Sequence, residues 1–130
     1  MTVETQFLRD NRVAMHTWIK PITVADINTA FSQTGSLYEQ ATVPIHTIFV
    51  HLQAANLPPN VISIALRHPF SPLRHPKAGM LIIVATDPFL RTMGQTVGRI
   101  RPDKVSLVST IDEALAALDR ILEREKSLSA

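Results

Sequence analysis

The chain has 130 residues, a formal net charge of +2 and 45% hydrophobic composition, the length of one domain with enough apolar content to bury a core. It has no cysteine, which excludes disulfides, thiolate metal sites and cysteine nucleophiles. No apolar run nears the ~20 residues that span a bilayer, and Met1-Thr2-Val3-Glu4-Thr5 places an acid where a secretion signal has bases, so a soluble cytoplasmic protein is expected.

Residues 3–8 and 12–19 read as two strands joined at Asp10-Asn11, whose side chains tolerate the left-handed backbone of a tight hairpin. Pro21 ends the second strand, and Thr23, three residues before Asp26, opens a helix with a weaker relative of the capping box. That helix carries Val24, Ile27, Phe31 and the Leu37-Tyr38 pair on one stripe, with Gly35 weakening its last turns. Residues 45–52 form a third strand, apolar on both alternations as a central strand is. The loop from Ala54 to Asn60 leads to a second helix over about 59–67, with proline in its first turn. His68-Pro69 ends that helix, and the proline-rich segment to Ala78 is irregular.

From Gly79 the chain repeats one pattern twice. Met80-Leu81-Ile82-Ile83-Val84-Ala85 is an apolar strand, Asp87-Pro88 a helix start, and Phe89, Met93, Val97 and Ile100 one helical stripe. Val105-Ser106-Leu107-Val108 is the next strand, followed by the capping box Thr110-Ile111-Asp112-Glu113 and a helix carrying Ile111, Ala114, Leu115 and Leu118. Unbroken apolar strands alternating with helices indicate a mainly parallel sheet covered by helices. The expected fold is therefore α/β: a five-stranded mixed sheet, made of an N-terminal hairpin plus parallel strands, with four helices in the order ββαβαβαβα. Residues 1–125 make one domain, and the polar segment after Leu122, above all residues 126–130, is expected to fray.

This order resembles the STAS domain, named from sulfate transporters and anti-sigma factor antagonists, and more closely its small stand-alone bacterial relatives. The resemblance rests on Leu57-Pro58-Pro59, on His75-Pro76 followed by Gly79, on Asp87-Pro88-Phe89-Leu90-Arg91 and on Ser109-Thr110-Ile111-Asp112-Glu113-Ala114. It implies helices mainly on one face of the sheet and a regulatory, non-catalytic role in binding another protein. The sequence departs from regulatory STAS domains in the loop entering the second helix, where they carry a phosphorylatable serine. Gln53 to Asn60 holds no Ser, Thr, Asp or Gly, and Ser63 lies inside the helix beyond it. A switch that adds nearly two negative charges at that helix start has no acceptor there.

Chemistry-bearing residues have structural uses that compete with functional ones. His46 and His51, five apart on one strand, point to opposite faces and cannot share a metal from that strand. His68 and His75 belong to two Arg-His-Pro strings without the convergent ligands zinc requires, so neither metal nor cofactor is expected. Arg67, Arg74 and Lys77 form an anion-binding edge, or else are solvated charges with Arg67 complementing its helix dipole. Asp26, Asp87, Asp112 and Glu113 are taken up by helix starts, and no nucleophile elbow, phosphate loop or dinucleotide fingerprint follows a strand. No enzyme is expected. Gly94 and Gly98, four apart, allow close packing of their helix.

Ligands of parallel α/β sheets bind beyond the carboxyl ends of the strands. That rim comprises Gln53, Asn56, Asn60, Thr86, Asp87, Ser109 and Thr110, with helix N-termini supplying backbone donors. The sequence thus ranks a protein-interaction module first and a small-ligand, lipid or anion binder at this rim second. Nucleic acid is not expected as a partner, because Trp18, Tyr38 and the five Phe sit mostly at core-like spacing; nor is a membrane. If helices cover one face only, the other exposes apolar side chains and favours a homodimer, or burial of that face against a partner, with Trp18 or its neighbours involved, unless the hairpin or residues 69–78 fold across it.

Overall fold

The computed structural model describes residues 3–18, 22–51 and 60–129. Ile19, Pro21 and the loop from Gln53 to Pro59, which includes Asn56, lie outside the described residues. In chain order the elements are β1 (Val3–Leu8), β2 (Val13–Trp18), α1 (Val24–Gln40), β3 (Ile45–His51), α2 (Val61–Arg67), β4 (Ala78–Val84), α3 (Pro88–Ile100), β5 (Val105–Val108) and α4 (Ile111–Ser129). Among the described residues the strands form one sheet in the order β1-β2-β3-β4-β5. β1 and β2 pair antiparallel, and β2, β3, β4 and β5 run parallel. The α/β class, the mixed sheet and the parallel β3, β4 and β5 are as the apolar patterning predicts.

Local chemistry accounts for the boundaries. Arg9, Asp10 and Asn11 adopt φ of 53°, 56° and 63°, the left-handed backbone that Asp and Asn admit most readily after glycine. Arg9 is held there by Asp119 of α4, 2.9 Å from its Nε. Thr23 and Asp26 complete a full capping box, each side chain accepting from the other's backbone N–H. That is stronger than the sequence suggests, because the shorter Asp reaches back as Glu does. Asp87 accepts from the Leu90 N–H at 3.1 Å with Pro88 in the first turn of α3, and Thr110 accepts from the Glu113 N–H at 3.1 Å. α2 is shorter than expected and starts after Asn60.

The strand order decides which face each helix covers. Successive parallel strands that add in one direction, joined by right-handed crossovers, place α1, α2 and α3 on the same face. Their core contains Trp18, Phe31, Ala65, Leu81, Ile83 and Leu90. The opposite pleat of the sheet presents Val13, Ile48, Val50, Ile82 and Val84, and α4 lays Ala114 and Leu118 on it, flanked by Leu115, Ile121 and Leu122.

Two expectations change here. The second face is not bare: α4 covers it, and neither the hairpin nor residues 69–78 does so, which removes the exposed sheet face that favoured a homodimer. Residues 123–129 are also helical, because Glu125 is anchored. It accepts from His46 Nε2 at 2.8 Å and pairs with Arg12, whose guanidinium also donates to the Pro44 carbonyl. His46 is 2% exposed, and its Nδ1 accepts from the Met80 N–H at 2.9 Å, so the proton sits on Nε2 and is donated to Glu125. The ring lies so close to β4 that a Cβ on Gly79 would come within 2.4 Å of Nδ1.

Candidate functional site

The face covered by three helices is not filled. Between the sheet and α1, α2 and α3 lies a cavity of about 80 Å³. The sheet floors it with Trp18 of β2, Phe49 and His51 of β3, and Leu81 and Ile83 of β4. Ile27 and Phe31 of α1, Val61, Ile62 and Ala65 of α2, and Leu90, Met93, Gly94 and Val97 of α3 close it, with Ile22 and Leu73 at its edges. Helix periodicity sets these residues on inward faces: Ile27 and Phe31 are four apart, as are Val61 and Ala65, while Leu90, Met93 and Val97 follow the three–four rhythm of one stripe. Phe31, Leu81 and Ile83 are buried, whereas His51, Val61, Ile62 and Met93 are half-buried. The latter mark the outward side, toward the carboxyl ends of β2 and β3.

No Lys, Arg, Asp or Glu lines this space among the described residues. The one ionisable group among the described lining residues is His51, whose imidazole burial pushes down to about 4, so it is neutral at pH 7. His51 is the register partner of Trp18, with ring planes 16° apart and centroids at 6.4 Å. Phe49 meets Trp18 edge-on at 5.7 Å. His16, next on the same face of β2, is also driven down to about 4 by burial. Its ring nitrogens face Thr5 Oγ1 at 2.8 Å and Thr34 Oγ1 at 3.4 Å.

The rim residues named from sequence are placed otherwise. Asn60, Thr86, Ser109 and Thr110 are exposed and Asp87 is half-buried, and none of them lines the cavity. Asp87 and Thr110 cap α3 and α4, while Arg91 donates to the Ala85 carbonyl at 2.9 Å where β4 ends. The expected convergence of helix starts is divided between faces, because α2 and α3 begin on one side of the sheet and α4 on the other. The rule of binding at the carboxyl rim works where strand order reverses and neighbouring helices part to opposite faces; an order of 1-2-3-4-5 has no such reversal. Gln53 and Asn56 lie outside the described residues.

At the other end of the sheet, Arg74 donates through Nη1 to the Arg67 carbonyl at 3.1 Å, which occupies it as the C-terminal cap of α2. Arg67 is exposed and Lys77 half-buried. His46 and His51 do face opposite ways, one to Glu125 and the other to the cavity. Trp18 and His51 were missed as a site, although the strand parity that separates His46 from His51 also sets Ala14, His16 and Trp18 on one face. What sequence does not reveal is that β2 and β3 pair with these two aromatics side by side. Comparisons with protein-family models, with curated proteins and with solved structures find no match to this chain.

Proposed function

We propose that the chain is a non-catalytic binding protein whose cavity seats the apolar end of a small molecule. The cavity itself carries this reading. Native interiors hold few voids larger than a water, and at roughly 24 cal/mol per Å³ a hollow of about 80 Å³ costs about 2 kcal/mol while it stays empty. A bound apolar group recovers that free energy. A lining that is apolar apart from one or two polar atoms is typical of small-ligand sites. An engineered cavity of about 150 Å³ takes benzene, so about 80 Å³ suits a short alkyl chain or the tip of a longer one. The test pairs native mass spectrometry of the freshly purified protein with thermal melts in n-pentane. Pentane should raise the melting temperature of the unsubstituted chain and leave Ala65→Leu, whose added carbons fill the space, unmoved. Equal responses from both proteins, or from neither, would remove the cavity as a binding site.

A protein-docking role of STAS type is the second reading, ranked first on sequence and now behind the cavity. Its support is Phe89, 57% exposed at the start of α3 beside Thr86 and Asp87, together with the ββαβαβαβα order. Co-purification tests it: a recurrent protein partner should be lost on Phe89→Glu, and recovery of the same partner with that variant would exclude this surface.

A further inference from the structure

Among the described residues the polar groups of the cavity lie in one region, and its chemistry narrows what can enter. Trp18 is 5% exposed, yet among the described residues its indole N–H meets no hydrogen-bond acceptor. Buried donors in native interiors are nearly always paired. Beside it, across the β2–β3 register, stands His51, whose ring is stacked on Trp18 with planes 16° apart and whose imidazole burial holds neutral. Both residues line the cavity at the carboxyl ends of their strands.

We infer that the cavity selects small uncharged molecules that combine an apolar body with one hydrogen-bond acceptor, a carbonyl, ether or hydroxyl oxygen, to which the Trp18 indole N–H donates. The inference rests on the cavity being a ligand site and adds the class of ligand. A hydrocarbon would fill the space and leave the indole donor unpaired. A carboxylate would satisfy the donor but bury a charge with no Lys or Arg among the described lining residues to offset it, a far costlier step than burying a neutral oxygen. A neutral acceptor meets both conditions.

Trp18 is the one tryptophan of the chain, so a single indole N–H resonance reports on it. The probes are 2-pentanone, n-pentane and pentanoate, titrated near pH 7.5 and followed by proton–nitrogen correlation spectra and calorimetry. The ketone should shift the indole resonance downfield in a saturable way and bind about tenfold more weakly to Trp18→Phe, the loss expected of one buried hydrogen bond. Pentane, which accepts no hydrogen bond, should lose less affinity on Trp18→Phe than the ketone does, and pentanoate should bind the unsubstituted chain at least tenfold more weakly than the ketone does. A ketone that perturbs the cavity methyl groups but not the indole, or pentanoate matching it, overturns the selectivity while leaving the cavity a binding site. Failure of both ketone and pentane to bind overturns the cavity reading as well. Because the indole signal is read on the unsubstituted protein, the test holds even if Trp18→Phe does not fold.

Discussion

Acidification from pH 7.5 to 5 should destabilise this fold through His16 and His51, before most carboxylates take up protons. Burial pushes both imidazoles from 6.5 to about 4, so the folded state holds them neutral while the unfolded chain protonates them from pH 6.5 downward. Their contribution is therefore fully present above pH 6.5 and is lost as pH falls toward 4. At pH 5 an imidazole shifted this far withholds stability of about 2 kcal/mol, or about 4 kcal/mol for the pair. That is a large part of the 5–15 kcal/mol available to an ordinary domain. His46, His68 and His75 are also lowered, each chiefly by burial, and act in the same direction. Urea unfolding at pH 7.5 and at pH 5, followed by circular dichroism, measures the difference. His51→Phe should remove roughly half of the two-histidine loss, about 2 kcal/mol. A midpoint that is equal at the two pH values, or a drop unchanged in His51→Phe, would show that these rings are hydrated and refute the burial argument.

Truncating the anchor of α4, Glu125→Ala, leaves the buried His46 N–H without its acceptor and should cost about 1–3 kcal/mol in urea unfolding; Glu125→Gln, which keeps an acceptor oxygen, should recover most of the loss. Gly79→Ala sets a methyl within 2.4 Å of His46 Nδ1 and should destabilise by more than Gly94→Ala, where the nearest obstacle at 2.4 Å is the flexible end of Leu107; thermal melts of the two variants give the order. Leu118→Ala, at a position of 0% exposure under the second face, should cost about 2–5 kcal/mol, with dye binding to the uncovered sheet face as a second readout. Asp87→Ala removes the α3 cap and should cost about 0.5–2 kcal/mol, measured by chemical unfolding.

The fold is legible in the sequence wherever local chemistry and global order agree. The hairpin at Asp10-Asn11, the start of α3 at Asp87-Pro88 and the double-sided apolar runs of β3 and β4 each lead to the observed element. The spacing of Gly94 likewise anticipates the close approach of α3 to β5. Long-range facts are less legible. That α4 crosses to the second face follows from strand order, and that its polar last turns stay helical follows from His46 and Arg12, 79 and 113 residues before Glu125. The cavity is hidden for the same reason. Phe31, Met93 and Val97 read singly as members of helical stripes, and a void among them depends on how far three helices stand from one sheet. The Arg-His-Pro strings illustrate the converse: side chains that suggest a ligand edge include one, Arg74, committed to its own backbone.

The division of labour between helices has a consequence for how the chain is made. The face under α1, α2 and α3 can close as soon as β5 is in place, because all of its walls come from residues up to 108. The other face waits for α4. A chain whose α4 has not yet docked therefore presents a sheet that is covered on one side and open on the other. At that stage Ile48, Val50, Ile82 and Val84 face whatever lies nearby. A chaperone can shield them, and a chain truncated just short of α4 would be an aggregation-prone species.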